Sequence, residues 1–277
     1  MAATCSSVGY WTNVKGLLLD ITGVLYESTE SGGCAIEGSV EAIQRLKNSG
    51  IAVRFCTNEN AVTQKVLSEK LRKFGFNIEC SQIFSPIPAV CSVLGSRGLR
   101  PLLLVNPKAA EDFRDIDTSN PNSVIIGDMA EHFTYEVMNE AFQLLKSLSH
   151  PVLLALGSSK YYQENGKLVL DSGAYMKVLE SACDIEAEVF GKPSPEFFKT
   201  ALKDMNLKPA EVVMIGDDIV NDIGGAQAVG LRGVQVCTGK FSRIQQTLLE
   251  MGKIGSVLII LHSNWKCFCF VIRQVIS

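Results

Sequence analysis

Short runs of apolar residues alternate along the chain with longer segments in which apolar positions recur every three or four residues. In the first half, VKGLLLDI precedes the helical pattern VEAIQRLKNSG, and IAVRFCTN precedes TQKVLSEKLRKFGF. Strands that alternate with amphipathic helices predict βαβ units around a parallel sheet. The alternation resumes in SPEFFKTALKDMNL, EVVMIGDD, IGGAQAVG and LRGVQVCTG. We therefore predict an α/β fold with a Rossmann-like parallel-sheet core.

Between these halves, residues 94–186 carry their own strand patterns (PLLLVN, SVIIGD and PVLLALG) and helix patterns (YEVMNEAFQLLKSL and GAYMKVLESAC). A stretch of this length is sufficient for a separate domain. The sequence thus predicts a discontinuous core, formed by residues 1–93 and 187–277, with an inserted α/β domain at 94–186.

Composition narrows the class of protein. With 277 residues, 47% of them hydrophobic, and a net charge of -3, the chain suits one or two soluble domains and lacks the basic footprint of a nucleic-acid-binding protein. Its nine cysteines are scattered without a C-x-x-C pair, which is typical of reduced thiols in a cytosolic protein. Because the N-terminus has no basic start followed by an apolar block, we expect a cytoplasmic location.

The last segment, GSVLIILHSNWKCFCFVIRQVIS, is the most membrane-like part of the chain. Polar residues divide it into two short apolar runs, whereas a membrane-spanning helix needs about 20 continuous apolar residues. We therefore expect a buried strand pair or a poorly packed tail, and no membrane partner.

Polar residues follow four of the predicted strands. Ligands of open parallel sheets bind at the carboxyl ends of the strands, where these side chains would meet. The candidates are Asp20, Thr57 with Asn58, Lys192, and the acidic cluster Asp217, Asp218 and Asp222. Taken singly, the first two could be helix caps and the lysine a surface residue. Three acids within six residues, however, repel one another unless a cation or a lysine neutralises them, which predicts a hard divalent cation.

Together these residue types suit phosphoryl transfer. Asp20 would attack phosphorus and form an aspartyl phosphate, while Mg²⁺ held by Asp20 and Asp217 would shield the approaching anions from each other. Thr57, Asn58 and Lys192 would bind the phosphoryl oxygens and stabilise their charge in the transition state.

The segments DITGVL, FCTN, GKPSPEFF and GDDIVND resemble the four successive motifs of the haloacid dehalogenase superfamily of aspartyl-phosphate phosphatases. The insertion between the second and third motifs resembles the large α/β cap of the nitrophenylphosphatase-like branch. Longer stretches, over roughly residues 14–241, are similar to phosphatases of this family that act on inorganic pyrophosphate, phosphohistidine and phospholysine.

This resemblance implies a Mg²⁺-dependent homodimer of cytosol and nucleus that acts on a small phosphorylated substrate or a phosphohistidine protein. The metal ligands that it implies are Asp20, the backbone carbonyl of Thr22 and Asp217, and the phosphate-binding residues are Asp20, Thr22, Thr57, Asn58 and Lys192. Asp218 and Asp222 would support the metal site or its lysine.

Thr22 departs from the family pattern, because most of these phosphatases have a second Asp there that protonates the leaving alkoxide and later activates water. A threonine hydroxyl cannot do this near neutral pH. Pyrophosphate and phosphoramidates have leaving groups that need no such acid, so Thr22 favours these substrates over esters. Alternatively, Thr22 only shapes the turn and contributes its carbonyl. Glu59, next to the Thr57–Asn58 pair, is a weak candidate for activating water.

Three other functions remain open at this point. A phosphatase for small monoesters is disfavoured by Thr22. A receiver-type regulatory domain also combines Asp, Thr, Lys and an acidic pair, but with the acidic pair first in the chain rather than last. An inactive phosphate-binding interaction protein is the third, because residues 242–277, after GKF, have no counterpart in the family pattern.

Overall fold

The computed structural model describes residues 11–29, 32–164 and 167–239 and the backbone of 258–260. In this part of the chain, two parallel sheets carry α-helices on both faces, and two short antiparallel hairpins are added to them. The predicted α/β class, with a parallel-sheet core and an inserted α/β unit, is confirmed.

The core sheet is six-stranded and entirely parallel. In spatial order its strands are β14 (Leu258–Ile260), β13 (Arg232–Val236), β12 (Val212–Gly216), β1 (Gly16–Asp20), β4 (Ala52–Cys56) and β5 (Ile83–Phe84). Strands β1 and β12 are buried at every position, because helices cover both faces of the sheet. This explains why their sequences are continuous apolar runs rather than alternating patterns.

Each face of the core sheet packs against helices with a matching apolar stripe. Leu17 and Leu19 face helices α1 (Ser39–Asn48) and α2 (Gln64–Lys73), and Leu18 faces α6 (Pro195–Met205) and the short α7 (Gly225–Ala228). The hairpin β2–β3 (Tyr26–Glu27 and Cys34–Ala35) follows β1.

The second sheet has four parallel strands. In spatial order they are β11 (Glu188–Val189), β8 (Leu153–Ala155), β7 (Ser123–Ile126) and β6 (Pro101–Leu104). Helix α3 (Pro86–Arg97) packs on one face, and α4 (Tyr135–Ser147) and α5 (Ser172–Cys183) pack on the other. The hairpin β9–β10 (Tyr161–Glu164 and Lys167–Leu170) precedes α5.

The packing around the second sheet extends beyond the predicted limits of 94–186 on both sides. Ile87 and Val90 of α3 pack in the cluster beneath this sheet, and β11 pairs with β8 after residue 186. A helix that leads from one sheet to the next has an apolar stripe whichever sheet it covers, so the sequence pattern does not indicate to which sheet α3 belongs.

The predicted strand pair or tail after residue 242 lies outside the described residues, apart from the backbone of β14. That strand extends the core sheet by pairing in parallel with β13, with Val234 opposite Leu258. Among the residues that the structure describes, no helix is long and apolar enough to cross a membrane. Among the described cysteines, Cys34, Cys56, Cys80, Cys91 and Cys183 are free thiols.

The packing of β4 predicts a large loss of stability when its aromatic core residue is truncated. Phe55 is fully buried in the cluster beneath α1 and α2, so we expect Phe55→Ala to lower the free energy of unfolding by about 3–5 kcal/mol. Urea denaturation would measure this change. Val178→Ala, at a position that is 56% exposed, is the control and should change stability by less than about 0.5 kcal/mol. Equal effects of the two substitutions would contradict the packing.

Candidate active site

The parallel register places the predicted site residues at one edge of the core sheet. Asp20, the last residue of β1, lies beside Cys56 at the end of β4, and Asp217 directly follows β12 on the other side. Thr57 continues β4 by one residue, and its N–H donates to Phe84 O. The carboxyl ends of three neighbouring strands therefore converge here, as expected for a ligand site of an open parallel sheet.

Lys192 reaches this edge from the loop between β11 and α6, and it is only 3% exposed. Its Nζ donates to Asp20 Oδ1 at 2.7 Å, to Asp222 Oδ1 at 2.6 Å and to Cys56 O at 3.0 Å. Burial by itself would lower the pKa of Lys192, but the two carboxylates outweigh burial and hold that pKa above its ordinary value. The ammonium thus stays charged and fixes the orientation of the Asp20 carboxylate.

Three buried carboxylates form a cluster here, and two of them, Asp20 and Asp222, bind this lysine. Asp20, Asp217 and Asp222 each offer an oxygen, and these oxygens lie within 4.8 Å of one another. Burial and the charge of Asp20 raise the pKa of Asp222, against the lowering effect of Lys192. When all three are ionised, one ammonium leaves two negative charges uncompensated. An all-oxygen donor set with this charge fits a hard divalent cation such as Mg²⁺.

Asp218, next to this cluster, and Asp222, a member of it, are held by different hydrogen bonds. Asp218 Oδ1 accepts from the backbone N–H groups of Val220 and Asn221, both at 3.0 Å, and so caps the π-helical turn Ile219–Gly224. The N–H of Asp218 donates in turn to Asp222 Oδ2 at 3.0 Å. Both oxygens of Asp222 therefore accept hydrogen bonds, one from this backbone and one from the lysine.

Gly23 allows the turn after β1 to approach Asp217 closely. Its φ of +86° lies in the left-handed region, and a Cβ there would overlap the Asp217 carboxylate. The carbonyl of Gly23 also accepts a hydrogen bond from Thr238 Oγ1. The turn that contains Thr22 is thereby held against the acidic cluster.

The structure gives Asn58 a contact that its sequence position did not suggest. Its Oδ1 accepts from the backbone N–H of Lys192 at 2.7 Å, and its Nδ2 donates to the carbonyl of Lys192 at 2.8 Å. Thr57, which is 2% exposed, accepts from the N–H of Glu59 at 3.0 Å. The side chain of Asn58, which was predicted to bind phosphate, thus holds the loop that carries Lys192.

Thr22 faces a buried tyrosine. The hydroxyl groups of Thr22 and Tyr26 lie 3.2 Å apart, and Lys70 Nζ donates to Tyr26 Oη at 3.3 Å. Burial, reinforced by the charge of Glu59, raises the pKa of Tyr26 to about 12. Tyr26 and Lys70 could not be paired from the sequence, because they are 44 positions apart and leave no spacing pattern.

Glu59 lies half-buried between the core and the inserted unit. Its Oε1 accepts from the N–H of Ala61 at 2.9 Å. Burial raises the pKa of Glu59 above its usual range, Lys70 lowers it, and Asp171 at the start of α5 raises it further. This carboxyl therefore takes up a proton more readily than an exposed glutamate does.

Two buried asparagines that the sequence analysis missed connect the core to the inserted unit. Asn221 Nδ2 donates to Ser159 Oγ at 2.9 Å, and Asn60 accepts from the N–H of Asp128 at 2.6 Å. Each asparagine lies within three residues of a predicted site residue, which is the only signal in the sequence that could have indicated them.

Comparisons with known proteins agree with this geometry. Residues 14–230 match the family model described as haloacid dehalogenase-like hydrolase. The chain is 56% identical over 239 residues to the phospholysine phosphohistidine inorganic pyrophosphate phosphatase of Danio rerio, covering 86% of this chain and 88% of the relative. For the Homo sapiens protein of the same name, identity is 54% over 228 residues, with 82% and 84% coverage.

Among solved structures, the 4-nitrophenylphosphatase of Thermotoga maritima superposes with a TM-score of 0.80. The match covers 96% of this chain and 99% of that structure, at 20% sequence identity. At this level of identity the likeness supports the fold, namely a parallel-sheet core with an inserted α/β unit.

The raised pKa of Glu59 predicts how stability depends on pH. Below the ordinary glutamate pKa of about 4.3, the carboxyl is neutral in both the folded and the unfolded protein and has no effect. As pH rises, the unfolded chain ionises first, so the wild type loses stability until the folded-state pKa is passed. We expect Glu59→Gln to be more stable than wild type at pH 7 and equally stable near pH 4, as measured by urea denaturation.

Glu211→Gln is a control of opposite sign. A hydrogen bond from Lys15 lowers the pKa of Glu211, so this carboxylate stabilises the fold above its ordinary pKa and loses that effect as pH falls. Glu211→Gln should therefore be less stable than wild type at pH 7. A Glu59→Gln variant that behaves in the same way would contradict the assigned burial of Glu59.

Proposed function

Because the chain belongs to the haloacid dehalogenase-like hydrolase family, we propose that it is a Mg²⁺-dependent phosphatase that acts through an aspartyl phosphate on Asp20. The observation that carries this proposal is the hydrogen bond between the buried Lys192 ammonium and Asp20 Oδ1, at the edge of the sheet that also holds Asp217. The Oδ1 of this carboxylate is bound by Lys192, and its Oδ2 is available to attack phosphorus.

In the proposed first step, Asp20 Oδ2 forms a bond to phosphorus as the bond from phosphorus to the leaving group breaks. The leaving group departs with the electron pair of that bond. In the second step, water attacks phosphorus as the bond from phosphorus to Asp20 Oδ2 breaks, and the electron pair of that bond restores the carboxylate. The products are inorganic phosphate and a proton released to solvent. The Lys192 ammonium and the Thr57 hydroxyl stabilise the charge that develops on the phosphoryl oxygens.

Asp20, the backbone carbonyl of Thr22 and Asp217 are the residues that would hold Mg²⁺. The bound cation would supply charge neutralisation between the carboxylates and the phosphoryl group. Asp222 contributes indirectly, because both of its oxygens bind Lys192 and the backbone of Asp218.

For substrates, we propose inorganic pyrophosphate and phosphoramidates such as phosphohistidine and phospholysine. The support is twofold. Relatives that are 54–56% identical bear names with these substrates, and Thr22 stands where a general acid would be needed for an ester. The hydroxyl of Thr22 is paired with Tyr26, whose pKa of about 12 makes it a poor acid at neutral pH. The likeness to these phosphatases is also the basis for proposing a homodimer in the cytosol and nucleus.

If the leaving group decides the substrate preference, substitutions at Asp20 and Thr22 should have opposite effects. Asp20→Asn removes the nucleophile and should abolish phosphate release from every substrate. Thr22→Asp supplies the missing acid, so we expect it to raise the turnover of glycerol phosphate by about 10²-fold, but not that of 4-nitrophenyl phosphate, whose nitrophenolate leaves without protonation. Turnover of pyrophosphate should not rise. The measurement is phosphate release with Mg²⁺ from both esters, pyrophosphate and phospholysine.

Thr22→Ser, which keeps the hydroxyl, is the matched control and should preserve the substrate preference. If wild type hydrolyses glycerol phosphate as fast as pyrophosphate, the substrate assignment fails while the aspartyl-phosphate mechanism stands. If a folded wild-type sample releases no phosphate at all, the proposed activity fails and a phosphate-binding interaction protein becomes the better description.

The proposed cation site can be tested without turnover. At a Mg²⁺ concentration of about 100 times Kd, binding should stabilise wild type by about 2.7 kcal/mol, which thermal unfolding would detect. Asp217→Asn should abolish this response and, in EDTA, should be at least as stable as wild type, because it removes one of three mutually repelling carboxylates. Asp115→Asn, at a side chain that is 90% exposed, should keep the full Mg²⁺ response. A full response in Asp217→Asn would exclude this residue as a ligand.

A further inference from the structure

A continuous path of hydrogen bonds runs from the second sheet to the lysine of the site. It begins at Asp128, after β7, whose N–H donates to Asn60 Oδ1 at 2.6 Å. Asn60 is 4% exposed, and its Nδ2 donates to the carbonyl of Asn58 at 2.7 Å. The side chain of Asn58 then forms two hydrogen bonds with the backbone of Lys192: its oxygen accepts from the N–H and its nitrogen donates to the carbonyl.

Glycines at both ends of this path allow the close approach that it needs. A Cβ on Gly127 would lie 2.6 Å from Asn60 Oδ1, and a Cβ on Gly191 would lie 2.5 Å from Asn58 Oδ1. Cβ atoms are not found this close to another atom, so a side chain at either position would displace the amide. The backbone on both sides is thus shaped around the two asparagine side chains.

The chemistry of the amide makes this arrangement specific. Asn60 accepts with one atom and donates with the other, and each of its two partners is a backbone group. A shorter hydroxyl side chain does not span both partners, and a carboxylate cannot donate to a carbonyl. Leaving either group unpaired in the interior would be costly. The loops that carry Asp128, Asn60 and Lys192 are therefore held in one mutual arrangement.

We propose that Asn60 is a positioning residue that makes the placement of Lys192, and through it the orientation of Asp20, depend on the docking of the second sheet onto the core. The inference rests on the proposed phosphatase function. Asn60 itself touches neither Lys192 nor Asp20 and acts through Asn58. The inserted unit would therefore contribute to catalysis through the placement of the lysine.

Asn60→Asp keeps one hydrogen bond of this side chain and removes the other. The introduced carboxylate still accepts from the N–H of Asp128 but opposes the carbonyl of Asn58. We expect kcat for pyrophosphate to fall at least about tenfold, which corresponds to one lost hydrogen bond of about 1.4 kcal/mol, with KM within about twofold of wild type. Asn106→Asp is the matched control, since the buried Asn106 Oδ1 accepts from Lys108 N, at 3.1 Å in its own loop, and a carboxylate also makes this bond. Asn106 bonds to Asp128 O through its backbone N–H, which the substitution leaves in place. Its kcat should stay within about twofold of wild type.

A pH profile distinguishes positioning from a general loss of structure. The introduced carboxyl regains a donor when it is protonated, and the neighbouring acids Glu59 and Asp128, together with burial, favour its protonation. Lys192, beyond Asn58, has the opposite influence. The ratio of kcat in Asn60→Asp to kcat in wild type, measured at each pH, should therefore rise towards one as pH falls, whereas the ratio for Asn106→Asp should remain flat.

Gly127→Ala provides a second test, because it displaces Asn60 from the side of the inserted unit without adding a charge. It should lower kcat without the pH-dependent recovery. The inference is overturned if Asn60→Asp keeps wild-type kcat, or if its loss is constant with pH and matched by an equal loss in Asn106→Asp. Absence of phosphate release from wild type would instead overturn the proposed function, so the two failures are distinguishable.

Discussion

The buried ammonium of Lys192 is the interaction on which the site depends. Taking an ammonium and two carboxylates out of water is costly, and the cost is recovered only with good geometry and every N–H satisfied. Lys192 meets this condition through Asp20, Asp222 and Cys56 O, at 2.6–3.0 Å. Its partners come from β1, β4 and the π-helical turn after β12, so the charge network also ties three chain segments together.

The parallel sheet is what makes this convergence possible. Neighbouring parallel strands end at the same edge, so single residues that lie far apart in sequence meet without any long side chain crossing the core. Side-chain amides then hold the loops in place. Asn58 binds the loop that carries Lys192, and Asn60 binds the loop that follows β7 of the second sheet. The rigid part of the site is therefore made by secondary structure, and its fine adjustment by hydrogen bonds to loops.

Strand ends were predictable from the sequence, because a polar residue after a buried apolar run leaves a visible break in the pattern. This applies to Asp20, Thr57 and Asp217. The contacts between side chains were harder to predict from the sequence. Asn60 contacts a loop 68 residues away, and Tyr26 contacts Lys70 across 44 residues, so only the folded chain shows what these groups bind. The sequence also did not indicate which sheet α3 packs against, since its apolar stripe would suit either sheet.

The charge of the site constrains the order of binding. With Asp20, Asp217 and Asp222 ionised, Lys192 leaves two negative charges, and a phosphate group would add further negative charge at close range. Two like charges 4 Å apart repel by about 4 kcal/mol at an effective dielectric constant near 20. The positive charge of Lys192 is already included in this count, so the lysine alone cannot offset this repulsion. On the proposed function, the phosphorylated substrate would therefore bind with, or after, the divalent cation.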